Sequence, residues 1–416
     1  MNVVTSVFGN ATFLLGIIAL IGLLIMKESF GDVLTGTIKT MLGYLIISIG
    51  CGAISPTLTP MTEMIRYAMG VEGVVPNCLP AFGVSMAQFG TETTLIFVIG
   101  FALNLLLAKF TKLKFVALTA HLQLFWAGFM AILLAAFEFS TLGIILIGGI
   151  TAGLYYWLAT AVSYHYVKGI TTEHANFVPS VVGLVIAGEV GRVFPKDSKS
   201  TEEIEFPKSL NWLKDTIVSV SVIMLLVNVI LAIIAGVGFV QEMAGATPWV
   251  VYLITVSLTF GGSIAVILYG VRTLLGALVP AFSGISEKVL PNAKLGLDYP
   301  TVYPYAGTAA MLGFLMHLLG SIVASLLMVV TGFTPLVIPG VQINFFEGAI
   351  VGVYANARGG VKNVILSSLL VGFILQFGVS LIFPYTGALI PHSVAYEAID
   401  YNTFGLVLAK VLAILH

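Results

Sequence analysis

The stretch IKTMLGYL, from Ile38 to Leu45, returns 233 positions later as VRTLLGAL, from Val271 to Leu278. Each copy carries a β-branched residue, a cation, threonine, two apolar residues, glycine, a spacer and leucine. Two fainter echoes keep the same order. VVPN (Val74 to Asn77) returns as VLPN (Val289 to Asn292), and QLFWAG (Gln123 to Gly128) returns as NFFEG (Asn344 to Gly348). Ordered echoes of this kind mark a duplicated unit of roughly half the chain. In a membrane protein, with helix-breaking residues at matching places, they are the sequence mark of a secondary transporter.

The membrane class follows from composition. Of 416 residues, 58% are hydrophobic and 9% are charged, against about 25% charged in a soluble domain. Ten long apolar runs recur, among them Ala11–Met26, Thr40–Ile54, Leu142–Val162, Val250–Gly270 and Val364–Phe383. Most approach the ~20 residues that a helix needs to cross a bilayer. The first run has no small-residue cleavage site after it and reads as a retained helix rather than a signal peptide. The net charge of −1 gives no footing for a nucleic-acid partner. Cys51 and Cys78 lack metal-ligand or disulfide-framework spacing, so no metal and no cofactor is expected.

Fourteen cations before residue 300 fall on one side of a simple alternating topology, with Arg66 opposite. They include Lys39, Lys109, Lys112, Lys114, Lys196, Lys208, Lys214, Arg272 and Lys294. That side is cytoplasmic by the positive-inside rule, which puts the N-terminus outside. The chain divides into a first membrane unit (1–162), a cytoplasmic linker with a partly buried segment (163–214) and a second membrane unit (215–416). Five spans in the first unit and at least five in the second make the repeat an inverted one. The expected fold is an all-α polytopic membrane protein of about 10–11 transmembrane helices plus re-entrant hairpins. Strict inversion puts Arg272 opposite Lys39, whereas the charge count puts both inside. The stretch Pro248 to Ser283 is long for one straight span, roughly 54 Å, and a bend at Gly261-Gly262 would reconcile the two.

Apolar but broken segments lie between the spans. Ser55 to Gly90 carries four prolines, Pro291 to Gly307 carries Pro300 and Pro304, and Pro335 to Gly360 carries Pro339 and several glycines. Non-helical backbone at membrane depth is tolerated where protein buries it or water lines it, so these segments point to a substrate site. Ionisable residues near them are functional candidates. His121 opens HLQLFWAGF with Gln123 and Phe125 close by; its bland alternative is a helix–helix hydrogen bond. His174, followed by Asn176, is otherwise a loop histidine in water. Asp298, just before Tyr299-Pro300, can accept hydrogen bonds from hydroxyls or merely cap a helix. Glu347 is a candidate whose alternative is a salt bridge to Arg358. Ser55 and Asn77 in the first broken segment complete the candidate set. His317, without polar neighbours in sequence, reads as structural. The chain has no Walker loop, no Ser-His-Asp pattern and no HExxH, and hydrogen-bonding groups without strong net charge suit a hydroxyl-rich substrate.

At GTIKT (Gly36–Thr40), TAHLQLFWAG (Thr119–Gly128), AFSGISEKVLPNAKLGLD (Ala281–Asp298) and FFEGAIVGVYANARGG (Phe345–Gly360) the chain resembles the ascorbate-type membrane subunit, enzyme IIC, of the bacterial sugar phosphotransferase system. The resemblance runs over nearly the whole chain. It implies a homodimer in the bacterial cytoplasmic (inner) membrane, each protomer with a core (transport) domain and a V-shaped dimerisation domain. The core would carry sugar inward by an elevator-type movement. A soluble EIIB partner bearing a phosphocysteine, supplied by EIIA, would phosphorylate it, so this chain would not itself be an enzyme. By motif match, His121, His174 and Asp298 fall where the family binds the sugar ring. The family has glutamine four positions after the first histidine and directly after the second, where Phe125 and Ala175 stand here. A Thr-Tyr pair of the family is Cys78-Leu79 in this chain. The implied substrate is therefore ascorbate or a related sugar or polyol. An ion-coupled transporter on the same fold, with Asp298 or Glu347 as the ion site, is the alternative.

Overall fold

The two echoed motifs lie against each other. In the computed structural model, which describes residues 10–70, 72–195, 198–204, 216–288 and 290–415, IKTMLGYL sits in helix α2 (Phe30–Met69) and VRTLLGAL in helix α9 (Trp249–Lys288). A Cβ on Gly43 would come within 2.4 Å of the Leu274 amide nitrogen, and one on Gly270 within 2.7 Å of that of Ile47. Gly50 faces Ile267 in the same way. As numbers rise along α2 they fall along α9, so the two 40-residue helices run antiparallel with their backbones in contact. Arg272 is thus level with Leu45, six residues or about 9 Å along the axis from Lys39. Both cations therefore lie in the half of the pair that holds the start of α2 and not at opposite ends. The bend at Gly261-Gly262 is absent, since α9 runs through both.

Around this pair the chain builds α1 (Ala11–Met26), β1 (Val75–Pro76), α3 (Cys78–Phe110), β2 (Phe115–Ala117), α4 (Ala120–Ala136), α5 (Thr141–Val167), β3 (His174–Asn176) and α6 (Val181–Val190). Beyond the linker come α7 (Thr216–Ala235) and α8 (Val237–Ala244) ahead of α9, bent against each other by 114° at Gly236. After α9 follow β4 (Lys294–Leu297), a 3-10 stretch (Tyr299–Tyr305), α10 (Gly307–Thr331), α11 (Val341–Ile382), β5 (Val394–Ala395) and α12 (Ile399–Leu415). Among the described residues six helices are long and apolar enough to cross a membrane, or seven counting the α7–α8 bend, against the roughly 10–11 expected; α1 and α4 are shorter apolar helices. This is an all-α polytopic membrane architecture, with its few strands confined to short connections.

One broken segment is not broken where the prolines stand. Helix α2 passes through Pro56 and Pro60 and ends only at Gly70, whose φ of +64° stops it. Pro56 and Pro60 leave the Gly52 and Pro56 carbonyls without their usual amide donor, and within the same stretch the Thr57 and Thr62 hydroxyls donate back to the Ile54 and Leu58 carbonyls. The break comes later, at β1. Helix α11 likewise continues from Val341 to Ile382, with one kink at Gly360 (φ +61°). The segment 291–307 is irregular as its prolines demand.

Residues 198–204, in the stretch expected to be a linker, pack against α10 and α11. Ser200 caps Thr201–Glu203, and the Glu202 carboxylate accepts from the Ala309 amide (3.0 Å) and the Thr308 hydroxyl (2.9 Å) at the start of α10. Lys196, Lys208 and Lys214, and Val289 of VLPN, lie outside the described residues.

Three strands form a parallel sheet in the order β2-β4-β3, with Val116 opposite Leu295 and Ala175 opposite Gly296. The ladder satisfies backbone groups that helices cannot, as burial requires. Gly296 is needed at its centre, because a Cβ there would meet the Thr160 side chain at 2.7 Å and Phe177 at 2.9 Å. A second, two-stranded parallel pair joins β1 to β5.

Candidate substrate site

Parallel strands deliver their next residues to the same edge, and here that edge is the site. Asp298 directly follows β4, His121 follows β2 by four positions, and Pro179 follows β3 by three. Together with a face of α2 they line a cavity of about 510 Å³, within the ~300–1,000 Å³ of small-molecule pockets.

The Tyr44 hydroxyl and His121 Nδ1 are 2.8 Å apart. With the hydroxyl donating, the imidazole proton sits on Nε2, which faces Asp298 Oδ2 at 3.5 Å. That distance is long for a direct hydrogen bond, so both atoms keep bonding capacity for a third group. The other Asp298 oxygen accepts from the Tyr299 amide at 2.7 Å. Both readings of Asp298 hold at once: one oxygen caps the 3-10 stretch and the other faces the cavity. The His121 side chain is 38% exposed and that of Asp298 13%, so both reach the cavity. Phe125 meets the His121 ring edge-on (centroids 5.9 Å, 84°) and leans on Phe82. It supplies an apolar wall suited to the C–H face of a sugar.

The remaining candidates lie elsewhere. His174 is fully buried on β3 and is not part of the cavity lining. Burial, with the Lys294 charge nearby, pushes it down to about 4, so it is neutral; it is not the solvated loop histidine of the bland reading. Asn176 works as a brace. Its amide donates to the Leu297 and Asp298 carbonyls and the Thr301 hydroxyl, and its oxygen accepts from Tyr354. Gln123 is buried behind the cavity, where its backbone carbonyl accepts from the Tyr156 hydroxyl. Glu347 is buried in α11 and accepts from the Ile399 amide at 3.3 Å. It forms no ion pair with Arg358, which lies about 16 Å further along the same helix and donates to the His165 and Tyr166 carbonyls. Asn77 caps α3 through the Leu79 amide, just before Cys78 and Leu79 of the lining. Ser55 lies within α2, one turn beyond Cys51 and Gly52 of the lining; its side chain is outside the described set. His317 ties α10 to α11 through Asn344 at 2.6 Å.

Sequence reasoning missed Tyr44, Ser48, Cys51, Gln342 and Glu397 in the lining. A signal existed for the first three. Positions 44, 48 and 51 fall on one helical face, inside a run otherwise read as framework. No comparable signal marks Glu397, which sits in a short irregular connection before α12.

The comparisons with known proteins agree with this picture. A family model described as the sugar-specific permease component of the PTS system (EIIC-GAT) matches residues 6–398. A curated relative from Mycoplasma pneumoniae (strain ATCC 29342 / M129 / Subtype 1), named as an ascorbate-specific PTS system EIIC component, is 27% identical over 418 aligned positions, covering 87% of this chain. The chain spans about 63% of the length of that relative. With the family match running over nearly all of a chain of long apolar helices, this multi-pass membrane protein belongs to the EIIC-GAT family of phosphotransferase-system sugar permease components.

Proposed function

We propose that the chain is the permease subunit of a phosphotransferase system, moving ascorbate or a related sugar or polyol inward. The observation that carries this reading is the meeting of Tyr44, His121 and Asp298 at the C-terminal edge of the three-stranded sheet, in a cavity of sugar size. A hydroxyl placed between His121 Nε2 and Asp298 Oδ2 would receive one hydrogen bond and give one, while the Phe125 ring covers the apolar face of the sugar. The phosphoryl chemistry belongs to the soluble EIIB partner, with its phosphocysteine, and to EIIA. The antiparallel contact of α2 with α9 supports an inverted repeat. On this reading the chain is a homodimer in the bacterial inner membrane, N-terminus outside, with a core domain rising and falling against a V-shaped dimerisation domain.

Uptake by proteoliposomes tests the proposal. Accumulated sugar should be phosphorylated, and accumulation should require phosphorylated EIIB inside. Uptake of unmodified sugar that follows a proton gradient without EIIB would replace this reading by the ion-coupled one.

A further inference from the structure

We propose that Glu397 is a specificity-determining residue, a second carboxylate that receives a substrate hydroxyl and turns the cavity toward neutral polyols over anions. The proposal rests on the reading of the cavity as the substrate site.

Glu397 is 7% exposed, lines the cavity, and its Oε2 atom has no hydrogen-bond partner among the described residues. A buried acceptor left open costs stability, and the residue that carries this one lines the cavity. The backbone that carries it is fixed on both flanks. Before it, β5 pairs with β1, the Asn77 amide donates to the Ala395 carbonyl at 2.9 Å, and the Tyr396 hydroxyl bonds Ser85 at 2.7 Å. After it, the Ile399 amide donates to Glu347, and the Asp400 carboxylate accepts from the Val181 and Val182 amides at the start of α6. A carboxylate presented by so constrained a loop is preorganised to bind.

The charge around it sets the selectivity. The lining holds two carboxyl groups, Asp298 and Glu397, and one imidazole, His121; among the described residues it holds no lysine or arginine. Ascorbate is a monoanion at neutral pH, and this lining offers it no fixed cation. Burial pushes the Glu397 carboxyl up to about 8, and a neutral polyol can hydrogen-bond to both carboxyl groups without the like-charge penalty that an anion meets at Asp298.

The test is a competition assay on purified full-length protein with galactitol, xylitol and ascorbate as probes. Wild-type protein should bind one of the neutral polyols at least ~10-fold more tightly than ascorbate. Glu397→Gln should weaken polyol binding by about 10-fold or more while ascorbate affinity holds or rises; Glu397→Asp should recover part of the loss. Preference for ascorbate in the wild type, or loss of all three probes in equal proportion in the variant, overturns the assignment. If the probes bind and the order of preference is unchanged in Glu397→Gln, Glu397 alone loses its role. If the wild type binds none of them, the reading of the cavity as the site for these substrates falls, and the proposal with it.

Discussion

Replacing Asp298 by Asn separates the two tasks of this side chain. The Oδ1 atom accepts from the Tyr299 amide at 2.7 Å, and asparagine keeps an oxygen able to hold that cap. The Oδ2 atom, 3.5 Å from His121 Nε2, becomes an NH₂ group. Two donors then face each other, and no acceptor remains for a substrate hydroxyl between them. A hydrogen bond to a charged group contributes about 1.5–3 kcal/mol, so the dissociation constant should rise ~10- to 150-fold. Fold stability should change little, because the cap survives and the 3.5 Å contact with His121 is long for a hydrogen bond. Isothermal titration of purified wild-type and variant protein with the best-binding sugar reads the first quantity, and thermal unfolding the second. Asp298→Ala, which also removes the cap, should lose an additional ~0.5–2 kcal/mol of stability. Sugar affinity within two-fold of wild type in Asp298→Asn, with the fold intact, would refute the placement of Asp298 in the site.

Tyr44→Phe removes the hydroxyl that fixes His121; affinity should fall ~2- to 12-fold, for about 0.5–1.5 kcal/mol, checked by titration, with a nearly unchanged unfolding temperature, checked by thermal unfolding. Gly43→Val drives a branched side chain into the backbone of α9 at Leu274. The variant should unfold well below wild type or fail to elute as a single species in size-exclusion chromatography, whereas the same change at Gly276, which faces open space, should be mild. Asn176→Ala leaves Tyr354 and the Asp298 turn without their shared partner. It should cost about 1–3 kcal/mol in unfolding stability and weaken sugar binding as well, since the turn that aims Asp298 loosens.

The parts of this fold legible in the sequence are those set by apolar content and backbone chemistry. The runs Ala11–Met26 and Leu142–Val162 are helices within a few residues of their expected bounds, because continuous apolar sequence in a bilayer leaves the backbone no other partner. The irregular stretch after Pro291 was legible for the same reason. Pro56 and Pro60 misled, because proline removes an amide without dictating that the helix stops there, and α2 continues through both. In the site, Asp298 and His121 stood out as ionisable groups in apolar surroundings. Tyr44 did not, since tyrosine in an apolar run carries no penalty that calls for explanation. His174 stood out by motif, yet it is fully buried on β3, opposite Leu295 of β4 and outside the cavity lining, and no local pattern encodes that register.

The placement of Tyr44 bears on how such a protein could move. Helices α2 and α9 meet backbone to backbone at Gly43, Gly50 and Gly270, and helices α10 and α11 do so at Gly313, where a Cβ would stand 2.2 Å from the Gly348 carbonyl oxygen. Contacts that close cannot slide without a steep steric cost, so each pair must travel as a unit. The Tyr44–His121 hydrogen bond at 2.8 Å links α2 to the start of α4, and the Val341 amide to Thr62 at 3.3 Å links α11 to α2. Each such bond contributes only about 0.5–1.5 kcal/mol net. A rigid-body displacement of the proposed elevator kind would therefore break where the cavity lies, between α2 and His121 with Asp298. The substrate would sit at the seam, held by both sides before the movement and by the sheet edge alone after it. Tyr44 would then act on one end state and Asp298 on both, so Tyr44→Phe should alter binding from one side of the membrane, while Asp298→Asn should alter it from either.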